Sequence, residues 1–153
     1  MDIRSGSGGV ASRLSNLRCR HFIFNGVECA SIEGALQSFK FQDVNMQVEI
    51  CKYSGQKARK SGQKKNWKQT QILYWKGEAI KRDSAEYQAL LDLLYQSAFE
   101  QCDKYREDIL SCTGVTFKHS VGKRKKQDTV LTEQEFVSRL TKLRDSKQLI
   151  GGN

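Results

Sequence analysis

The sequence predicts an α+β fold: a helix-rich single domain with a small β-sheet. Three observations carry that expectation. One segment has the signature of a tight β-hairpin, several others place apolar residues on one helical face, and the length of 153 residues suits a single domain. A chain of this size can hide roughly 70% of its unfolded surface, so a real core is within reach. No internal repeat is present.

The elements follow in order. Residues 1–13 are rich in Gly and Ser and are expected as a flexible leader, 14–146 as the domain, and 147–153 as a frayed tail. Gly6-Ser7-Gly8-Gly9-Val10-Ala11 formally fits a dinucleotide fingerprint, but the required strand before it is missing. His21-Phe22-Ile23-Phe24, Asn25-Gly26 and Val27-Glu28-Cys29 read as a hairpin, because Asn-Gly supplies the positive φ angles of a type I′ turn. Ser31 is placed to cap a helix in which Ile32, Ala35, Leu36 and Phe39 share one face. Gly55 and Gly62 bracket a short helix around Lys57-Ala58-Arg59-Lys60. Asn66 is expected to cap a further helix, with Trp67 in its first turn and Ile72, Trp75 and Ala79 along its inner face. Ser84 caps the clearest core helix, lined by Tyr87, Leu90, Leu91, Leu94 and Ala98. Ser111 to Gly114 reads as a turn and Val115 to His119 as a strand. Gly122 to Asp128 is a charged loop, and Thr132 with Glu135 forms a capping box before a helix lined by Phe136, Leu140 and Leu143.

Charge narrows the partners. Lys and Arg number 26 against 17 Asp and Glu, a net +9 that favours phosphorylated nucleotides, nucleic acid or another anionic surface. No apolar run approaches the roughly 20 residues of a membrane helix, and no secretory signal is legible, so a soluble cytoplasmic protein without a membrane partner is expected. The five cysteines include no C-x-x-C pair, which favours reduced thiols over a disulfide framework or a zinc site. Cys19-Arg20-His21 is the only fragment of a metal motif, so no metal is assigned.

Several residues have two readings. Glu33 in a first helical turn either complements the helix dipole or supplies a working carboxylate. Trp67 is either core or a stacking platform for a base or ribose. Lys57, Arg59 and Lys60 are either a solvated basic face or a phosphate cradle. Lys123-Arg124-Lys125-Lys126 is the densest basic run, suited to phosphate neutralisation. His119 is either a satisfied structural group or a substrate contact able to assist proton transfer. Asp128 closes the charged loop.

The ordered motifs resemble one family. Leu14-Ser15-Asn16-Leu17 is similar to the Leu-Ser-Asn-Phe opening of the NADAR family. Ser31-Ile32-Glu33-Gly34-Ala35-Leu36-Gln37 resembles its Thr-Val-Glu-His-Ala-x-Gln helix start. Gly55 to Gly62 resembles its Ala-Lys-x-x-Gly segment, Asn66-Trp67 its Asp-Trp, and Leu110 with Thr113-Gly114 its Leu-x-x-Thr-Gly turn. The likeness spans roughly residues 14–145 in the same order. One departure stands out. Phe117 to Lys123 occupies the place of the Asp-x-x-Trp-Gly motif found in many members, so the chain looks like a divergent branch without that second acid.

The resemblance implies an N-glycosidase, a hydrolase cleaving the bond between a ribose and a nucleobase-type nitrogen, with no cofactor or metal. Substrates implied are ADP-ribose attached to guanine in nucleic acid and phosphorylated riboflavin-pathway intermediates. Glu33 falls on the catalytic glutamate. Ser15, Asn16, Lys57, Lys60, Trp67, His119 and Asp128 are the expected substrate-binding residues. The alternative is a catalytically inactive module that sequesters an ADP-ribose or NAD-derived nucleotide. The basic, divergent character would suit a viral or mobile-element protein.

Overall fold

The computed structural model describes residues 1–151, with side chains as far as Ser146; the expected frayed tail at 147–153 lies outside the described side chains. The chain opens with a one-turn helix, α1 (Gly9–Arg13). Strands β1 (Phe22–Phe24) and β2 (Val27–Cys29) pair antiparallel, and Asn25 (φ 48) and Gly26 (φ 83) form the expected turn. Phe22, Phe24 and Cys29 face the core. Helix α2 (Ile32–Ser38) follows at once, capped where Ser31 Oγ accepts from Gly34 N at 2.9 Å. A Cβ on Gly34 would stand 2.7 Å from the Tyr53 carbonyl and 2.8 Å from that of Ile50. No larger residue fits between α2 and the end of the next helix.

That next helix, α3 (Val44–Cys51), is capped by Asp43, and the short α4 (Gly55–Ser61) packs its Ala58 inward. Helix α5 (Trp67–Thr70) is a single turn that Gln71 ends in the left-handed region (φ 57). The helix expected to run on through Ile72, Trp75 and Ala79 is instead a hairpin. Strands β3 (Ile72–Trp75) and β4 (Glu78–Lys81) pair across a turn in which Lys76 (φ 52) and Gly77 (φ 85) both take positive angles. Leu73 and Trp75 are buried and Ala79 is exposed, the period of a strand rather than a helix. Asn66 makes no side-chain cap.

The long helix α6 (Ala85–Gln101) starts at Ser84, whose Oγ accepts from Tyr87 N at 3.1 Å. It buries Tyr87, Leu90, Leu91, Leu94 and Ala98, all five residues read as its inner face. Helix α7 (Asp103–Leu110), not foreseen from the pattern, and α8 (Glu133–Gly151) pack beside it. The fold is therefore helix-rich α+β, with two separate two-stranded antiparallel sheets. Phe24, Phe39, Trp75 and Tyr87 meet at its centre with ring centroids 4.7 to 6.2 Å apart. Such pairs contribute about 0.5–1.5 kcal/mol each beyond their buried area. Among the described residues no helix is long and apolar enough to cross a membrane.

Residues 1–13 are packed rather than a free leader. Ile3 is fully buried, its N–H donates to the Lys118 carbonyl at 2.8 Å, and Lys118 N donates to Met1 O at 2.8 Å. The strand expected at 115–119 is reduced to this single parallel bridge between Asp2 and Lys118. Burial of Ile3 and these bonds outweigh the flexibility that the Gly and Ser content suggests.

Candidate active site

Three adjoining hollows form one groove across the face where the 14–17 loop, α2, α4 and the 119–131 loop meet. The first, about 390 Å³, is lined by residues of the N-terminal segment with Ser15, Asn16, Glu33, Arg59 and His119. The central one, about 300 Å³, shares Asn16, Glu33, Arg59 and His119 and adds Gln37, Lys123 and residues 129–131. The third, about 260 Å³, continues past Gln37 and Lys123 to Lys40, Gly62, Lys65, Trp67, Lys68 and Asp128.

Glu33 stands where the first two hollows overlap. Its position is set by the Ser31 cap and by its own N–H, which donates to the Asn16 carbonyl at 2.9 Å. Burial pushes its carboxyl above the ordinary range, while the charges of Lys40 and Arg59 and a hydrogen bond from Gln37 pull the other way. Lys40 experiences the converse: burial lowers its ammonium, and Glu33 offsets part of that. Asn16 is oriented by Tyr95, whose hydroxyl donates to Asn16 Oδ1 at 3.0 Å. Ser15 is buried, and its Oγ accepts from Leu17 N at 3.2 Å, so it shapes the loop as well as lining the groove.

His119 is fixed from two sides. Its Nδ1 lies 2.6 Å from the Ile3 carbonyl, and its ring meets Phe136 edge-on at 5.1 Å. A carbonyl only accepts, so Nδ1 carries the proton and Nε2 of the neutral ring is an acceptor. A Cβ on Gly122 would approach His119 Cδ2 to 2.6 Å, so the glycine leaves room for the ring. His119 is thus fixed by its neighbours and lines the groove, and Trp67, 5% exposed in the core cluster, lines the third hollow.

Lys57 and Lys60 do not line the groove. In α4 the buried Ala58 and the groove-lining Arg59 and Gly62 share one side, and helical spacing turns positions 57 and 60 to the other. The Lys57 ammonium sits 4.2 Å over the Tyr53 ring. Arg59 takes the place expected of them. Asp128 lines the third hollow and not the central one, so Glu33 is the only acid among the described residues lining the centre.

The far wall is held by a node that sequence reading missed. Arg82, fully buried, donates to both Glu135 carboxylate oxygens (3.0 and 2.6 Å) and through Nε to the Thr129 carbonyl at 2.8 Å. Glu135 also accepts from Gln88 Nε2 and from Thr132 N, the latter as half of the expected capping box. Tyr87 OH donates to the Val130 carbonyl at 2.6 Å. Burial raises the Glu135 carboxyl, but these donors and the Arg82 charge outweigh it and hold it down at about 2.

The architecture is that of a YbiA-like fold. The NMR structure of the Escherichia coli protein YbiA superposes with a TM-score of 0.65, over 100% of this chain and 87% of that one, at 18% identity. At that identity the likeness speaks for the fold. Residues 8–145 match the family model described as bacteriophage protein GP30.3, and the chain belongs to that family. It is also 32% identical, over 95% of its length and 97% of the relative's, to an uncharacterized 17.1 kDa protein encoded in the Gp30–rIII intergenic region of Enterobacteria phage T4.

Proposed function

We propose that the protein is a NADAR-type N-glycosidase that hydrolyses the bond between a ribose and a nucleobase-type nitrogen in an anionic, phosphorylated substrate. The observation that carries this reading is Glu33, a half-buried carboxyl at the centre of a basic groove, on the position that resembles the family's catalytic glutamate. Cleavage builds positive charge on the ribose as the C1′–N bond breaks. An ionised Glu33 stabilises that charge and takes a proton from the attacking water. His119 and Asn16 face the same hollow and orient the sugar or the leaving base, while Arg59, Lys40 and Lys123 attract phosphates. ADP-ribose on guanine in nucleic acid suits a chain of net charge +9.

A second reading has one observation in its favour. Glu33 has no companion acid among the described residues lining the central hollow, which suits a module that binds an ADP-ribose-type nucleotide without turning it over.

Mass spectrometry separates the two. Wild type and Glu33→Gln are incubated with ADP-ribosylated guanine in DNA and with the phosphorylated aminopyrimidine precursor of riboflavin. Release of base by wild type, and about 10²- to 10⁴-fold slower release by the variant, is expected. No release from either substrate, with ADP-ribose bound tightly, selects the binding module.

A further inference from the structure

The third hollow contains a buried acceptor with nothing to accept from. Gln37 is 8% exposed, and its Oε1 has no partner among the described residues. Its side chain helps to hold the Glu33 carboxyl down, and its Oε1 stands at the Gly62 end of the hollow. There it lies against Gly62: a Cβ at that position would stand 2.3 Å from Oε1 and 2.7 Å from Lys40 Cδ. An unpaired buried acceptor costs about 1–3 kcal/mol, so a ligand donor is the natural relief.

Around this acceptor, positive charge converges. Lys40, Lys68 and Lys123 all line the hollow, and the last two are near enough to Lys40 to help depress its ammonium. None of the three forms an ion pair among the described residues. Lys65 lines the rim with its ammonium 4.9 Å over the Phe41 ring, and among the described residues Asp128 is the one opposing acid lining the hollow. Mutually repelling ammonium groups beside an unsatisfied carbonyl call for a ligand that is anionic and also donates a hydrogen bond. A phosphate next to a sugar hydroxyl has both properties.

We propose that the hollow formed by Gln37, Lys40, Gly62, Lys68 and Lys123 is a sugar-phosphate subsite, in which the lysines hold the phosphate and Gln37 Oε1 accepts from a ribose hydroxyl. The assignment rests on the glycosidase reading for its direction. With phosphate in the third hollow, C1′ points back along Gln37 to Glu33, and the base occupies the first hollow beside Ser15 and Asn16. Gly62 is the specificity element, because any side chain there fills the cradle. The phosphate site moves away from Lys57 and Lys60 to residues that neither motif nor charge run singled out together.

Calorimetric titration of the full chain with ribose 5-phosphate and with ADP-ribose tests this. Wild type is expected to bind at least one of them. Lys68→Gln/Lys123→Gln and, separately, Gly62→Ala are expected to weaken binding by roughly tenfold or more, the scale of a lost charge-assisted contact. Lys57→Gln/Lys60→Gln, on the far side of α4, is expected to bind as wild type does. Both lysines removed in the first variant are exposed, so its fold is safe. Lysine-dependent binding of either probe supports the subsite, and the tighter probe tells whether the phosphate arrives as a monoester or in a diphosphate. Binding that ignores Lys68 and Lys123, or no binding of either probe by wild type, overturns it. Glu33-dependent base release that survives such a result leaves the glycosidase standing. Lysine-dependent binding without base release removes the glycosidase and keeps the subsite.

Discussion

Glu33 and Glu135 are carboxylates in the same domain with opposite surroundings. Glu135 is buried and takes two N–H groups from Arg82, one from Gln88 and one from the Thr132 backbone. Every demand made by its burial is met, and its carboxyl is held at about 2. Glu33 has the Gln37 amide and two cations that form no ion pair with it, and burial leaves its carboxyl raised. The first arrangement is what a structural ion pair needs, and it fastens residues 129–132. The second is unfinished without a ligand, and such groups concentrate where chemistry is done.

The largest expected effect separates the two by activity. Glu33→Gln is expected to slow base release by about 10²- to 10⁴-fold while the fold persists. Glu135→Gln should do the reverse, costing about 3–5 kcal/mol in denaturant unfolding because it leaves Arg82 buried beside a neutral partner. The pH dependences should also diverge. Glu135 has a lowered folded-state pKa, so its contribution is present above its ordinary value of 4.5 and is lost as pH falls toward about 2. Glu33 has a raised one, so its ionisation costs stability as pH rises through that value. Glu33→Gln should therefore be more stable than wild type at neutral pH, with the gap closing in acid. The acid limb of kcat/KM should lie above the ordinary carboxylate range and vanish in the variant. The smallest effect is expected at His119. His119→Ala should reduce activity and cost about 1–2 kcal/mol of stability by orphaning the Ile3 carbonyl; a thermal melt with the base-release assay reports both.

Much of this contrast was legible in the residues. Ser31, Ser84 and the Thr132–Glu135 box mark helix starts through local chemistry, and Asn25-Gly26 marks its turn the same way. The likeness to YbiA agrees with the fold that the ordered motifs implied. Local cues failed where long-range packing decides. Lys76-Gly77 is a weaker turn signal than Asn-Gly, so Ile72 to Trp75 was given the wrong period. Gly and Ser at the N-terminus hid the single apolar residue, Ile3, that pins the segment down. In the candidate site, Glu33, Asn16 and His119 come together as expected. Lys57 and Lys60 do not, because a charge run does not say which side of a short helix it faces. Lys40 had a signal: it falls seven residues after Glu33 and Gln37 four after, all on one helical edge. Arg82 had none, since its partner lies 53 residues away.

The Tyr95–Asn16 bond carries one more consequence. Tyr95 is rooted in the middle of α6, which among the described residues buries the most side chains of any helix, and its hydroxyl holds the loop whose Asn16 carbonyl in turn receives the Glu33 amide. The 14–17 wall of the groove is thus tied to a core helix rather than carried on a detachable flap. Local breathing that exposes one wall of the site has to disturb α6, so the Glu33 amide should exchange its hydrogen with solvent on the timescale of whole-domain opening.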